Sequence, residues 1–100
     1  MFYIYLLYSV SADKYYVGYS EDAFRRVVEH NNSDRNTFTS KYRPWKLVAL
    51  FECGNDRKTA IKIERFIKKQ KNRRIFELLR HGDTFYGPLE QLVRVPHLRD

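Results

Sequence analysis

Apolar and polar residues along this chain fall into blocks with two different periods. Phe2 to Tyr8 is an aromatic, branched run with strand composition. Ser11, Ala12 and Asp13 supply turn chemistry, and Lys14 to Tyr19 reads as a second strand. So short a connection makes the pair an antiparallel hairpin. The period then lengthens. Ser20 is placed to cap a helix with Glu21 and Asp22 in its first turn. Ala23, Phe24, Val27 and Val28 give that helix an apolar face through Glu29 or His30. A polar, loop-like stretch over 31–44 carries Arg35, Lys41 and Arg43 and closes at Pro44. Trp45 to Glu52 is nearly continuous in apolar residues, as in a strand covered on both faces. Gly54 and Asn55 break the chain, and Asp56 caps a helix whose stripe is Ala60, Ile63 and Ile67, running to about Lys71. A shorter helix over 73–80 uses Ile75, Leu78 and Leu79. The tail holds Gly82, Gly87, Pro88 and Pro96 around a short apolar segment from Leu89 to Val95. The order is β-β-α-β-α-α: an α+β domain with a small three-stranded antiparallel sheet flanked by helices. Residues 1–82 are expected to form the domain and 83–100 a C-terminal extension.

Composition narrows the class. A chain of 100 residues suits one domain, which buries roughly two-thirds of its unfolded surface. With 43% hydrophobic residues it has the material for a core. The aromatic share is 16% and includes eight tyrosines, more phenols than a plain core needs, since each buried hydroxyl requires a partner. One cysteine, Cys53, excludes an intramolecular disulfide and a cysteine-based zinc cage. No apolar run approaches the roughly 20 residues that span a bilayer, and Met1 to Tyr5 lacks a basic leader. These features predict a cytoplasmic protein without a membrane partner. A net charge of +7 draws it toward polyanions, nucleic acid above all.

Candidate chemistry then enters by motif. Tyr3-Ile4-Tyr5 and, across the hairpin, Tyr16-Val17-Gly18 resemble the paired motif of the GIY-YIG nucleases. Arg26 in the next helix and His30 one turn on match that family's arginine and a histidine found in many members. Thr59 to Glu64 resembles its helix bearing a metal-binding glutamate, and Phe38 to Val48 looks like the small single-domain bacterial branch. The resemblance covers residues 2 to about 73. Tyr3 stands where the motif's name has glycine, and Asn72 is the candidate for an asparagine that some members carry after the glutamate helix. The resemblance implies metal-dependent hydrolysis of DNA phosphodiester bonds, by an endonuclease that is structure-selective or serves repair and recombination. It implies Mg²⁺ or Mn²⁺ as cofactor, DNA as partner, and a protein partner for targeting. The alternative is a non-catalytic nucleic-acid-binding module of the same fold.

Residue chemistry agrees with that implication. Strand alternation puts Tyr5 on one hairpin face and Tyr16 with Gly18 on the matching face of the second strand. Gly18 leaves room for a backbone or phosphate to approach. Arg26 and His30, at i and i+4, share a helix face. The Arg26 guanidinium is a planar fork for phosphate oxygens. Glu64 is a hard oxygen ligand for Mg²⁺, a cation that keeps several waters and takes one or two carboxylates. Tyr5, Tyr16 and His30 remain alternatives for the base that activates water, a phenol's ordinary pKa of about 10 being high for that task. Arg35, Lys41, Arg43, Lys68 and Lys71 are the expected phosphate contacts. Each choice also has a plainer reading: cross-strand aromatic pairing for the tyrosines, a solvated face for Arg26, a helix C-terminal cap for His30, and an i, i+4 pair with Lys68 for Glu64. Tyr5, Tyr16, Arg26 and Glu64 are expected to converge on one concave surface.

Overall fold

The computed structural model describes residues 1–34 and 37–96. Strands β1 (Tyr3–Ser9) and β2 (Lys14–Ser20) form the antiparallel hairpin, with Tyr5 opposite Gly18 and Leu7 opposite Tyr16. Helix α1 (Ala23–Asn32), the short helix α2 (Phe38–Lys41) and strand β3 (Lys46–Glu52) follow. Helices α3 (Arg57–Lys69) and α4 (Arg73–His81) lead to a 3₁₀ turn at Gly87–Gln91 and strand β4 (Val93–Arg94). The sheet order is β2-β1-β3-β4, antiparallel throughout. The expected α+β class and antiparallel sheet are both present.

The sheet divides two apolar layers, as strand alternation requires. Ile4, Leu6, Val17 and Phe51 pack against Ala60, Ile63 and Ile67 of α3 and Leu79 of α4. Tyr5, Leu7 and Leu50 pack on the other side with Ala23 of α1 and Trp45. The β1–β3 register slips between Leu6 and Leu7, so that Leu6 faces Ala49 while Leu7 faces Leu47. Val48 is the extra residue of this bulge and joins Ala49 in the α3 layer. Among the described residues no helix is long and apolar enough to cross a membrane.

Four details differ from the expectation. The sheet has four strands rather than three, because Val93 and Arg94 pair with Glu52 and Phe51. Leu89 and Leu92 are buried in the α3 layer, and Arg94 Nη2 donates to the carbonyls of Leu79 and Gly82. The polar stretch contains α2, whose first turn is closed by Thr37 N–H donating to Ser40 Oγ. Helix α1 starts later than Ser20: Asp22 is the cap, accepting from Arg25 N–H at 3.0 Å, while Ser20 Oγ accepts from Asp22 N–H. That start turns Ala23, Val27 and His30 toward the sheet at i, i+4 and i+7, and leaves Phe24 and Val28 each 59% exposed.

Candidate active site

The two motif tyrosines lie on the α1 face of the hairpin, as alternation predicts. Tyr5 is buried, and the ring crosses its neighbour strand over Gly18. A Cβ at position 18 would overlap Tyr5 Oη and Cζ. The glycine therefore makes room for the tyrosine ring itself, not for an incoming phosphate as expected from sequence. Tyr5 Oη lies 3.0 Å from His30 Nε2, and His30 Nδ1 lies 2.9 Å from Thr39 Oγ1. Burial pushes the Tyr5 phenol up to about 12, Tyr16 adding to the rise while the Arg26 guanidinium opposes it. Burial, reinforced by Arg26 and Arg43, holds the imidazole below its ordinary value of 6.5, against the pull of Glu29. His30 is thus neutral at neutral pH, with one donor and one acceptor nitrogen. In the tautomer that donates Nδ1–H to Thr39, Nε2 accepts the Tyr5 hydroxyl, giving a chain Tyr5–His30–Thr39.

Thr39 carried no signal beyond its place in the Phe38–Val48 segment. It is buried, and its carbonyl accepts the Trp45 indole N–H at 2.6 Å. Asn31 grips the Trp45 backbone from the end of α1 through both its amide atoms. These contacts fasten α2 to α1 and β3 and hold the hydroxyl against His30.

Arg26 stands half-buried on α1 with Nη1 donating to Glu29 Oε1 at 3.0 Å. Glu64 comes from the opposite layer, on α3, and meets the others at the edge strand β2. One cavity of about 480 Å³ is lined by Tyr5, Tyr16, Gly18, Arg26 and Glu64, and Arg25 and Arg57 also line it. The expected quartet therefore shares one concavity, although α1 and α3 flank different faces of the sheet. The plainer reading of Glu64 also holds in part: Lys68 Nζ sits 3.4 Å from its carboxylate and 5.6 Å from the centre of the Tyr16 ring. His30 lies in the last turn of α1 but is not its cap, a place that Ser33 takes, and its side chain is turned inward.

Of the expected phosphate contacts, Lys41, Lys68 and Lys71 are exposed. Arg43 is engaged within the fold. Its Nε donates to the His30 carbonyl at 2.7 Å and its Nη2 to the Ser33 carbonyl at 2.5 Å, satisfying the open C-terminal end of α1. Arg35 lies outside the described residues. Asn72 caps α4, accepting from Arg74 N–H. Cys53 is buried with Sγ donating to the Phe2 carbonyl, and burial pushes its thiol up.

Glu64 and Glu21 both line the cavity, alongside solvent-facing space for water and phosphate oxygens. No three His, Cys, Asp or Glu side chains cluster as a metal cage among the described residues. That donor set fits a hard divalent cation taking one or two carboxylates and completing its shell with water and substrate oxygens, and it does not fit a soft metal in an all-protein site.

Comparison with known proteins covers the stretch of chain that holds these residues. The chain matches the model of the GIY-YIG catalytic domain over residues 1–77. It is 33% identical over 86 residues to a UPF0213 protein of the archaeon Haloquadratum walsbyi, covering 86% of this chain and 94% of the relative. It is 36% identical over 76 residues to a UPF0213 protein of Listeria monocytogenes, covering 74% and 83%. With the motif tyrosines, arginine and glutamate lining one cavity and the match spanning both, this chain belongs to the GIY-YIG domain family, a nuclease-type family.

Proposed function

We propose that this protein is a divalent-metal-dependent endonuclease that hydrolyses DNA phosphodiester bonds in the Tyr5–Tyr16–Arg26–Glu64 cavity. The observation that carries the reading is the meeting of all four side chains in that cavity, with Tyr5 in turn bonded to a neutral imidazole. Arg26 holds the scissile phosphate through its guanidinium fork and balances the charge that builds on the phosphorane oxygens. Tyr5 keeps its proton at neutral pH, so it works as a relay and not as a preformed phenolate. As water attacks phosphorus, its proton passes to Tyr5 Oη while the phenol proton passes to His30 Nε2. The bond from phosphorus to the 3′ oxygen breaks, and that oxygen is protonated from bulk water. Tyr16 forms the cavity wall beside the attacking water. Glu64, with Glu21 in the lining of the same cavity, would hold Mg²⁺ or Mn²⁺. A divalent cation held there would supply positive charge to stabilise the departing oxygen, an effect of several kcal/mol. Lys41, Lys68 and Lys71 contact phosphates, and Arg43, engaged at the end of α1, is left out of that set.

The test pairs Glu64→Gln with the wild type on labelled duplex, flap, junction and single-stranded DNA, with Mg²⁺, Mn²⁺ or EDTA. The amide keeps the shape and removes the charge, so cleavage should fall by at least about 100-fold while gel-shift affinity and circular dichroism stay near wild type. Cleavage at the wild-type rate by folded Glu64→Gln would dismiss the metal site. A wild type that cuts nothing under any metal would favour a binding module of the same fold.

A further inference from the structure

A second cavity of about 600 Å³ adjoins the first, sharing Tyr16 and Arg26 as a common wall. Its remaining lining is Glu29, His30, Ser33, Thr37, Phe38 and Thr39. The mechanism above places no part of the substrate in this space. Its volume lies within the range of sites that take small organic groups, roughly 300–1,000 Å³. Phe38 is 48% exposed at its mouth, an uncommon position for a large flat ring on the first residue of a four-residue helix. The ring is held in place from below: it lies 6.3 Å from Tyr16 at 25° between planes, 6.1 Å from Trp45 at 35°, and edge-on to Tyr42 at 5.0 Å. A half-exposed ring backed by three aromatics thus lines a cavity whose lining also carries a carboxylate and hydroxyls. An aromatic face with polar groups at the rim is the arrangement that stacks a nucleobase and hydrogen-bonds its edge. Bases inside a duplex offer no such face, because their neighbours cover it.

We propose that this cavity receives one unpaired nucleobase of the DNA substrate, stacked on Phe38, while Arg26 in the shared wall holds the adjoining scissile phosphate. The preferred substrate is therefore DNA with an unstacked nucleotide beside the cut: a single strand, a flap or a gap, not continuous duplex. The inference rests on the nuclease reading for the place of the scissile phosphate, but the base site itself is read by binding alone. Glu29 and Thr37 supply an acceptor and a hydroxyl for the base edge, so an exocyclic amine is the favoured edge group.

The experiment measures binding in EDTA, where no cleavage is needed. Single-stranded oligonucleotides carry 2-aminopurine or an abasic residue at successive positions, and a paired duplex of equal length is the control. Wild type should quench 2-aminopurine at one position, and an abasic residue there should weaken binding roughly ten-fold, the size of one lost base–aromatic stack. Phe38→Ala should lose a similar factor on the intact single strand, lose little more on the abasic one, and bind duplex as before. Phe38→Tyr should retain wild-type affinity. Equal loss on single strand and duplex, or full affinity for every abasic probe, would overturn the base site. The abasic arm uses unaltered protein, so a poorly folded Phe38→Ala does not decide the outcome. A wild type that quenches the probe but cuts nothing with metal keeps the base site and discards the nuclease reading; one that cuts single strand and duplex equally, with no quenching, does the reverse.

Discussion

Tyr5 has two neighbours that act on its proton in different ways. Burial makes its phenolate costly, while the imidazole at 3.0 Å offers the proton somewhere to go. The pH dependence follows from which group must be in which state. If Tyr5 relays to His30, activity requires a neutral imidazole and a protonated phenol. Activity is then lost as pH falls through the His30 value, which lies below 6.5, and again as pH rises through the Tyr5 value of about 12, with the plateau extending across neutral pH. A kcat/KM profile that instead keeps climbing through the alkaline range would assign the base to a tyrosinate. Thr39 belongs to the same chain as a positioning residue. Thr39→Val should cost about 1 kcal/mol of stability through the lost hydrogen bond. It should also free the imidazole to turn, lowering kcat more than it raises KM and moving the acid limb of the profile. Thr39→Ser, which keeps the hydroxyl, should restore both the limb and the rate. A Thr39→Val protein with an unchanged profile would make that contact purely structural.

At the scale of elements, the hairpin register places the site. Pairing Tyr5 with Gly18 lets a side chain from the inner strand reach across to the edge strand β2, where α3 brings Glu64. Gly18→Ala should therefore be worse than its single methyl implies. Overpacking of this kind costs about 1–3 kcal/mol, and the only relief is to push the Tyr5 hydroxyl away from His30. We expect a lowered thermal midpoint together with a loss of cleavage that persists at temperatures where the variant remains folded. A Gly18→Ala protein with full activity would show that the ring has other room. This contact also marks how far the sequence could be read. Period-2 alternation assigned Tyr5 and Tyr16 to one face, and the Asp56 cap and the Ala60–Ile63–Ile67 stripe fixed α3, because those signals are local. What Gly18 accommodates was not legible, since the occupying ring comes from another strand. Helix α2 was hidden for a related reason: Phe38 to Lys41 has no apolar period, and its place depends on Trp45 and His30 reaching Thr39. Strand β4 is too short to show alternation and exists through pairing with β3. Phe24 and Val28 have helical spacing, but a two-residue shift in the cap decides which side of the helix is buried.

For the whole molecule, the charge of +7 and the exposed Lys41 and Lys71 predict binding governed by counterion release. The logarithm of affinity should fall linearly with the logarithm of salt. Lys41→Gln and Lys71→Gln should each flatten that line by about 0.9 on duplex DNA, or about 0.7 on a single strand. A slope unchanged in both variants would place the phosphate track elsewhere. The tail has a bearing of a different kind. The family match ends at residue 77, yet Val93 and Arg94 form the outermost strand, and Leu89 and Leu92 sit in the core. Two residues of strand are a short guard, but they leave β3 with a neighbour on each side. A chain trimmed after Gly82 would bare the backbone of β3 beside the apolar residues it has lost cover for, an invitation to strands from other copies. The expected readouts are turbidity on expression and thioflavin-positive material from the trimmed chain, with neither from the full one. Those last residues would then matter less for cutting DNA than for keeping crowded copies of the protein from adhering to each other, and a clear, non-scattering solution of the trimmed chain would refute that.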